Sequence, residues 1–279
     1  MLIDTHCHLD AVDFMADREV VIERAGREGV CAIVIPAVDR ANFDAVQKLA
    51  HSFAGGYYAL GIHPIAVPDA QDEDLEYLQQ CLEAAMEDER FVGIGEIGLD
   101  YFIPELKQPL MREKQEHYFD AQLQLAHQFK LPVIVHVRRS QDEVLKYLRR
   151  RPEVTGIAHA FNGSFQQAKQ FIERGFVLGF GGAMTFERAL QIRRLATRLP
   201  LESLVLETDA PDIPPSWLGQ PGGERPRNEP CQVARIAREF AKLRGLSYEE
   251  AVAATGRNAY RALPRLSVAR APASTASFS

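Results

Sequence analysis

His6 and His8 flank Cys7 just after a short apolar run, Met1-Leu2-Ile3. In an extended segment, residues two apart face the same side. The two imidazoles therefore leave the strand end together and can share one divalent cation, for which neutral imidazole is a common donor. A lone His-x-His arises often by chance, so the pair gains meaning only from further donors. The chain supplies them. His63 follows Gly61-Ile62, and Glu96 lies within Gly93-Ile94-Gly95-Glu96-Ile97-Gly98. His136 ends Val133-Ile134-Val135, His159 ends Gly156-Ile157-Ala158, and Glu207 and Asp209 follow Leu204-Val205-Leu206. Mixed imidazole and carboxylate donors suit Zn, Mn, Fe or Ni, and Mg less well. Four histidines with two or three carboxylates exceed one tetrahedral site. They match two ions sharing a bridging carboxylate, with Glu96 set to bridge. Two such ions ~3.5–4 Å apart can hold a hydroxide and stabilise in-line displacement at phosphorus.

These donors need a scaffold that brings distant strand ends together. Short β-branched or apolar runs occur at Leu2–His6, Val30–Ile35, Tyr57–Ile62, Phe91–Glu96, Pro132–His136, Thr155–His159, Phe176–Phe180 and Leu204–Thr208. Amphipathic stretches separate them: Arg18–Glu28, Arg40–Ala50, Asp72–Glu89, Leu110–Phe129, Ser140–Arg150, Ser164–Arg174 and Glu187–Arg198. Several have good caps or end at glycine, as at Gly29 and Gly175. Strands alternating with helices in this way predict an α/β fold, a parallel (β/α)8 TIM barrel in one domain over residues 1–264. A doubly wound sheet would carry a Gly-rich turn after the first strand, and none is there. The last helices, about Glu229–Arg244 and Ser247–Ala262, are expected to cover the outside of the barrel. The Ala-, Ser- and Pro-rich tail, 265–279, is expected to be disordered.

In a parallel barrel every donor named above ends up at one mouth, the face where barrel enzymes carry their chemistry. His51, His117 and His127 instead fall inside helical patterns and read as surface or packing residues.

Bulk properties narrow the function. The 279 residues suit one barrel of ~250 residues, and 46% hydrophobic content can build a large core. Lys+Arg 32 against Asp+Glu 38 gives −6, which argues against coating nucleic acid by bulk attraction. A nucleic-acid substrate stays possible, because bound cations and a few arginines can make a cleft locally positive. The four cysteines, Cys7, Cys31, Cys81 and Cys231, are scattered and form no Cys-x-x-Cys pair. A reduced, cytoplasmic chain is the simplest expectation. Cys7 should point away from its histidines, into packing. No signal peptide, membrane span or obligate protein partner is expected.

Taken in order, these segments resemble the TatD family of metal-dependent hydrolases, within the amidohydrolase-type barrel superfamily. The carrying motifs are Asp4-Thr5-His6-Cys7-His8-Leu9-Asp10, Gly61-Ile62-His63-Pro64, Gly95-Glu96-Ile97-Gly98-Leu99-Asp100-Tyr101, Pro132-Val133-Ile134-Val135-His136, His159-Ala160-Phe161-Asn162-Gly163-Ser164 and Leu206-Glu207-Thr208-Asp209-Ala210-Pro211. Pro226-Arg227-Asn228-Glu229-Pro230 and Asn258-Ala259-Tyr260-Arg261 extend the likeness to nearly the whole chain. The resemblance implies a deoxyribonuclease-type phosphodiesterase, often with 3′-to-5′ exonuclease action on DNA ends or single strands. By position it implies one ion on His6, His8, Glu96 and Asp209 and a second on Glu96, His136 and His159. It implies His63 near the substrate phosphate. Asp209 would take a proton from the attacking water. Glu207 is open between binding a further ion, orienting water and supporting the ligands from behind. No lysine stands at the Glu96 position, which separates this chain from relatives that bridge their metals with a carboxylated lysine.

Lesser candidates surround that set. Arg138 is the preferred phosphate contact, set against a surface salt bridge, with Arg139 beside it. Arg225 and Arg227 lie in the Gly219–Pro230 loop, which is expected to rim the mouth as a basic edge for single-stranded substrate, with Arg227 the candidate substrate contact. Tyr101, Phe102, Phe161 and Trp217 are candidates for stacking bases, set against loop packing. Asp10 and Asp100 read as partners behind the ligands. Two other functions fit the same donors. The site could hydrolyse a small ester, lactone or amide, or the metals could be structural in a non-catalytic scaffold.

Overall fold

The computed structural model describes residues 1–219 and 226–266. Eight strands form one parallel sheet in sequence order: β1 (Leu2–Asp4), β2 (Val30–Pro36), β3 (Gly56–Leu60), β4 (Phe91–Asp100), β5 (Val133–Arg138), β6 (Gly156–Ala158), β7 (Val177–Phe180) and β8 (Leu204–Leu206). Just past their strand ends, β1 and β8 are also joined. Thr5 N donates to Leu206 O at 3.2 Å, Asp209 N to His6 O at 2.9 Å and His8 N to Ala210 O at 2.8 Å. These bonds close the ring, and the fold is the (β/α)8 barrel that the alternation predicts.

The helices are α1 (Arg18–Arg27), α2 (Phe43–His51), α3 (Asp72–Ala85), α4 (Pro109–Phe129), α5 (Gln141–Leu148), α6 (Phe165–Glu173), α7 (Leu190–Arg198), α8 (Gln232–Arg244) and α9 (Tyr248–Ala262). Local chemistry sets their ends. Ser164 and Ser247 open α6 and α9 with reciprocal capping boxes, and Gly245 closes α8 in the left-handed conformation. The strands are near-continuous apolar runs because both faces are covered. One face packs against the helices. The other fills the barrel with Ile3, Val34, Val92, Ile134, Ile157, Val177 and Val205.

Two sequence expectations need correction. The last helix does not lie outside the barrel. Ala259 and Ala262 of α9, with Leu263 and Leu266 after it, join the interior cluster, so α9 plugs the floor, where the strands begin. Nor does order stop at residue 264. Arg265 donates to Phe91 O at 2.8 Å and to Met86 O at 2.8 Å, and Leu266 is buried. An arginine fork that satisfies floor carbonyls is worth fixing, whatever the composition that follows. The rest of the expected tail, 267–279, lies outside the described residues. Among the described residues, no helix is long and apolar enough to cross a membrane.

Candidate metal centre

Strand alternation aims the donors. In β5 the inward Ile134 is followed two residues on by His136, and after β6 Ile157 by His159. After β8, Val205 is followed by Glu207 and Asp209. The inward parity that fills the barrel floor with aliphatics thus fills its mouth with ionisable groups. Above them opens a cavity of about 930 Å³, lined by residues from the loops that follow the strands.

Glu96 is the hub. It is 1% exposed, and five histidine nitrogens surround its carboxylate. Oε2 lies 3.1 Å from His6 Nε2 and 3.3 Å from His8 Nε2. Asp209 Oδ1 lies 3.6 and 3.7 Å from the same two nitrogens. Oε1 lies 2.6 Å from His159 Nε2, 2.8 Å from His136 Nδ1 and 3.3 Å from His63 Nε2. Three overlapping sets have ligand atoms close enough together to hold a metal: His6, His8 and Asp209; His6, Glu96 and His159; His63, Glu96 and His136.

The arrangement fits divalent cations chemically. His6 Nε2 and His8 Nε2 approach to 3.2 Å, and His136 Nδ1 and His159 Nε2 to 3.3 Å. Neutral imidazoles turn such lone pairs toward one another when a cation is to lie between them. His136 Nε2 lies 3.1 Å from Asp100 Oδ2. A proton on that nitrogen frees Nδ1 as a donor, the carboxylate–histidine arrangement typical of metal sites. His63 differs. Its Nδ1 accepts from Ile65 N at 2.9 Å, so the neutral ring carries its proton on Nε2, toward Glu96. His63 therefore presents a donor to the cavity rather than a lone pair.

Charge coupling within the cluster is strong. Burial opposes charge on Glu96, but the surrounding imidazoles hold its carboxyl well below the usual range. Burial also opposes charge on His8 and His159, yet Glu96 and the neighbouring acids push them up to about 9 and about 10. His6 goes well down and His63 falls to about 4, because for both desolvation by burial outweighs Glu96. Desolvation raises Asp209 and takes Glu207 to about 8. Protons and cations compete here for the same lone pairs.

Supporting contacts lock the frame. Ala160 N donates to Glu207 Oε1 at 2.5 Å, and that oxygen lies 3.8 Å from His159 Nδ1. Glu207 fits because Gly179 faces it: a Cβ there would stand 2.1 Å from Glu207 Oε2. Asp209 is held at φ 56°, in the left-handed region that Asp tolerates better than most side chains. Asp4 was not singled out from sequence, yet it ties the two ligand strands together. Its carboxylate accepts from Thr208 Oγ1 at 2.6 Å, Thr208 N at 2.9 Å and His6 N at 3.3 Å. An acid directly after the apolar run and two residues before the first histidine was the available signal.

The rim sorts the lesser candidates. Arg138 lines the cavity, 3.6 Å from Asp100 and stacked 4.0 Å from the Phe102 ring. Asp10 lines it too and accepts from Asn42 Nδ2 at 2.8 Å. Phe161 lines it but is buried, so its ring serves packing. Arg227 does not reach the cavity. Its guanidinium is held by Asp17 at 2.7 and 2.8 Å, by Glu229 at 2.8 Å and by Asp13 O at 2.7 Å. Two carboxylates and a backbone carbonyl hold its terminal nitrogens, which turns it away from the cavity it was expected to rim. Tyr101 donates to Glu116, and Trp217 to Gln232, so both are also turned away. Arg225 lies outside the described residues. Cys7 is fully buried on the helix-facing side, and His51 of α2 and His117 and His127 of α4 pair with Asp88, Asp72 and Glu153, away from the mouth.

Fold and site together define a metal-dependent hydrolase on a (β/α)8 barrel. The model of the family described as TatD related DNase matches residues 3–264, and the chain belongs to that family. It is 41% identical over 260 residues to the Escherichia coli K12 protein named "Uncharacterized metal-dependent hydrolase YjjV", covering 92% of this chain and 96% of that one. The solved structure of that TatD homolog superposes with a TM-score of 0.86 at 38% identity, covering 94% of this chain and 98% of the other. The human protein named "Deoxyribonuclease TATDN3" is 30% identical over 272 residues, 95% of either chain.

Proposed function

We propose that this protein is a deoxyribonuclease using two divalent ions, such as Mg, Mn or Zn, to hydrolyse phosphodiesters at the 3′ end of DNA. One observation carries the reading: the two oxygens of Glu96 divide the donors. Oε2 faces His6 and His8, beside Asp209, and Oε1 faces His136 and His159. A carboxylate with donors on both oxygens is suited to bridge two ions. When bound, the ions supply Lewis acidity toward water and toward the phosphoryl oxygens.

The chain's own groups do the rest. Burial raises the basicity of Asp209, so its Oδ1 accepts a proton from the attacking water. His63 donates through Nε2–H to a non-bridging phosphate oxygen. Glu207, buried beside His159, orients the water. Asp100 fixes the tautomer of His136. Arg138, half exposed at the rim, pairs with phosphate oxygens. Four free thiols suit a cytoplasmic setting.

The test is digestion of end-labelled single-stranded DNA by chelated protein with and without added Mn or Mg, alongside Glu96→Gln. Metal-dependent shortening from the 3′ end, lost in the variant while its melting temperature holds, supports the reading. No shortening in any metal overturns it and points to a small ester or lactone.

A further inference from the structure

The mouth is two-sided in charge. Asp10, Asp13 and Asp212 line it beside β1 and β8. Phe102, Arg138 and Arg139 line it beside β4 and β5, and among the described residues these arginines are its only guanidinium or ammonium groups. Their states differ. Arg138 shares Asp100, which also faces His136. Arg139 has no ion pair among the described residues. Its guanidinium lies 5.0 Å from the Phe102 ring, and that ring is 44% exposed, among the few large apolar side chains left in solvent. Arg139 also stands at φ 56°, where a long side chain is strained unless its surroundings impose the conformation. Directly after β5, that kink sends two successive arginines to one ring instead of to opposite faces of a strand. A guanidinium over an aromatic face loses little mobility on binding and keeps its in-plane N–H groups for an anion.

We propose that Arg139, held against Phe102 beside Arg138, is a specificity-determining residue that binds the phosphate next to the scissile one in a single-stranded polynucleotide. The inference rests on the phosphodiesterase reading and adds a direction. The acidic wall repels the anionic strand, which leaves the site over the β4–β5 rim. A substrate with one phosphate gains nothing from this subsite.

The experiment compares wild type, Arg139→Ala, Arg139→Lys and Phe102→Leu, all metal-loaded. Substrates are a short single-stranded DNA and bis(p-nitrophenyl) phosphate, which has no second phosphate. Arg139→Ala should raise KM for the DNA about tenfold, the loss of one charged hydrogen bond, with kcat held within a factor of two. Its kcat/KM should fall several-fold more on DNA than on the small diester. Binding of a labelled phosphorothioate oligonucleotide, followed by fluorescence anisotropy, should lose ~0.7 from its log–log salt slope, one single-strand phosphate contact. Arg139→Lys should restore the slope, and Phe102→Leu should weaken binding without changing it. Equal loss on both substrates, or none on either, overturns the proposal. The two readings fail separately. Cleavage of DNA indifferent to Arg139 removes the subsite alone. Arg139-dependent binding with no cleavage removes the nuclease reading alone.

Discussion

The barrel carries a carboxylate hub at each end, and the two are built differently: Glu96 at the mouth is fully buried and Asp88 at the floor only partly. At the mouth, Glu96 is surrounded by imidazoles alone, whose nitrogens crowd each other at 3.2 and 3.3 Å. At the floor, Asp88 precedes β4 and accepts from Tyr58 Oη at 2.8 Å, Gln47 Nε2 at 3.0 Å, Arg90 N at 2.8 Å and His51 Nε2 at 2.9 Å. Three of those partners are hydroxyl, amide and backbone donors whose protons do not come off near neutrality. The floor hub is held mostly by fixed donors, whereas the mouth hub is ringed by five imidazole nitrogens that can take either a proton or a cation. Backbone strain divides the same way. Arg139, Ala160 and Asp209 hold positive φ within three residues of a strand end at the mouth, and Ile213 does so farther along the loop after β8. On the floor side, Lys130 does so only as an ordinary left-handed helix cap. One end of the barrel spends its polar groups on stability, and the other keeps them poised for ligands.

Exchanging charge for amide at each hub breaks or sharpens that contrast. Glu96→Gln is expected to have the largest effect, at least ~10³-fold on turnover, since metal activation supplies several kcal/mol. Metal content by mass spectrometry should fall with it, while chelated protein melts close to the wild type. An Asp88→Asn exchange should do the reverse, costing about 2 kcal/mol in urea unfolding through lost charged hydrogen bonds. Its metal content should be unchanged, and a fall would show that the two hubs are coupled. Asp100→Asn tests the link between His136 and the rim. It should weaken metal binding ~10–100-fold, as losses behind a ligand do, with little change in stability.

The smallest effect is on acid stability. Burial opposes charge on Asp88, but its four donors hold the carboxyl below its ordinary range. A depressed pKa stabilises the fold above the unfolded value of ~3.9, and that share is lost as pH falls through the folded value. Wild type should therefore lose part of its stability below about pH 4, and Asp88→Asn should show a shallower slope there. Identical slopes would mean that the floor hub does not act through charge.

Much of this was legible beforehand. Each of the eight strands lies within two residues or so of its expected start, because continuous β-branched runs between capped amphipathic segments are local signals. The donors were legible for a related reason: a parallel barrel turns a strand-end position into a mouth position. Arg227 misled, because a guanidinium in a Pro/Gly-rich loop looks free until Asp17, 210 residues away in sequence, is found beside it. Helix α9 misled because an amphipathic pattern states that one face is buried but not against what.

By itself, then, the sequence determined the alternation of strands and helices, the inward parity of His136, His159, Glu207 and Asp209, and the kind of ion their donor types suit. These follow from periodicity and side-chain chemistry, which act over a few residues. Only the tertiary structure decided which oxygen of Glu96 each histidine faces, that Asp4 meets Thr208 across 204 residues, and which arginines line the cavity. Those outcomes depend on distances between segments far apart in the chain, and packing fixes such distances only when the barrel closes.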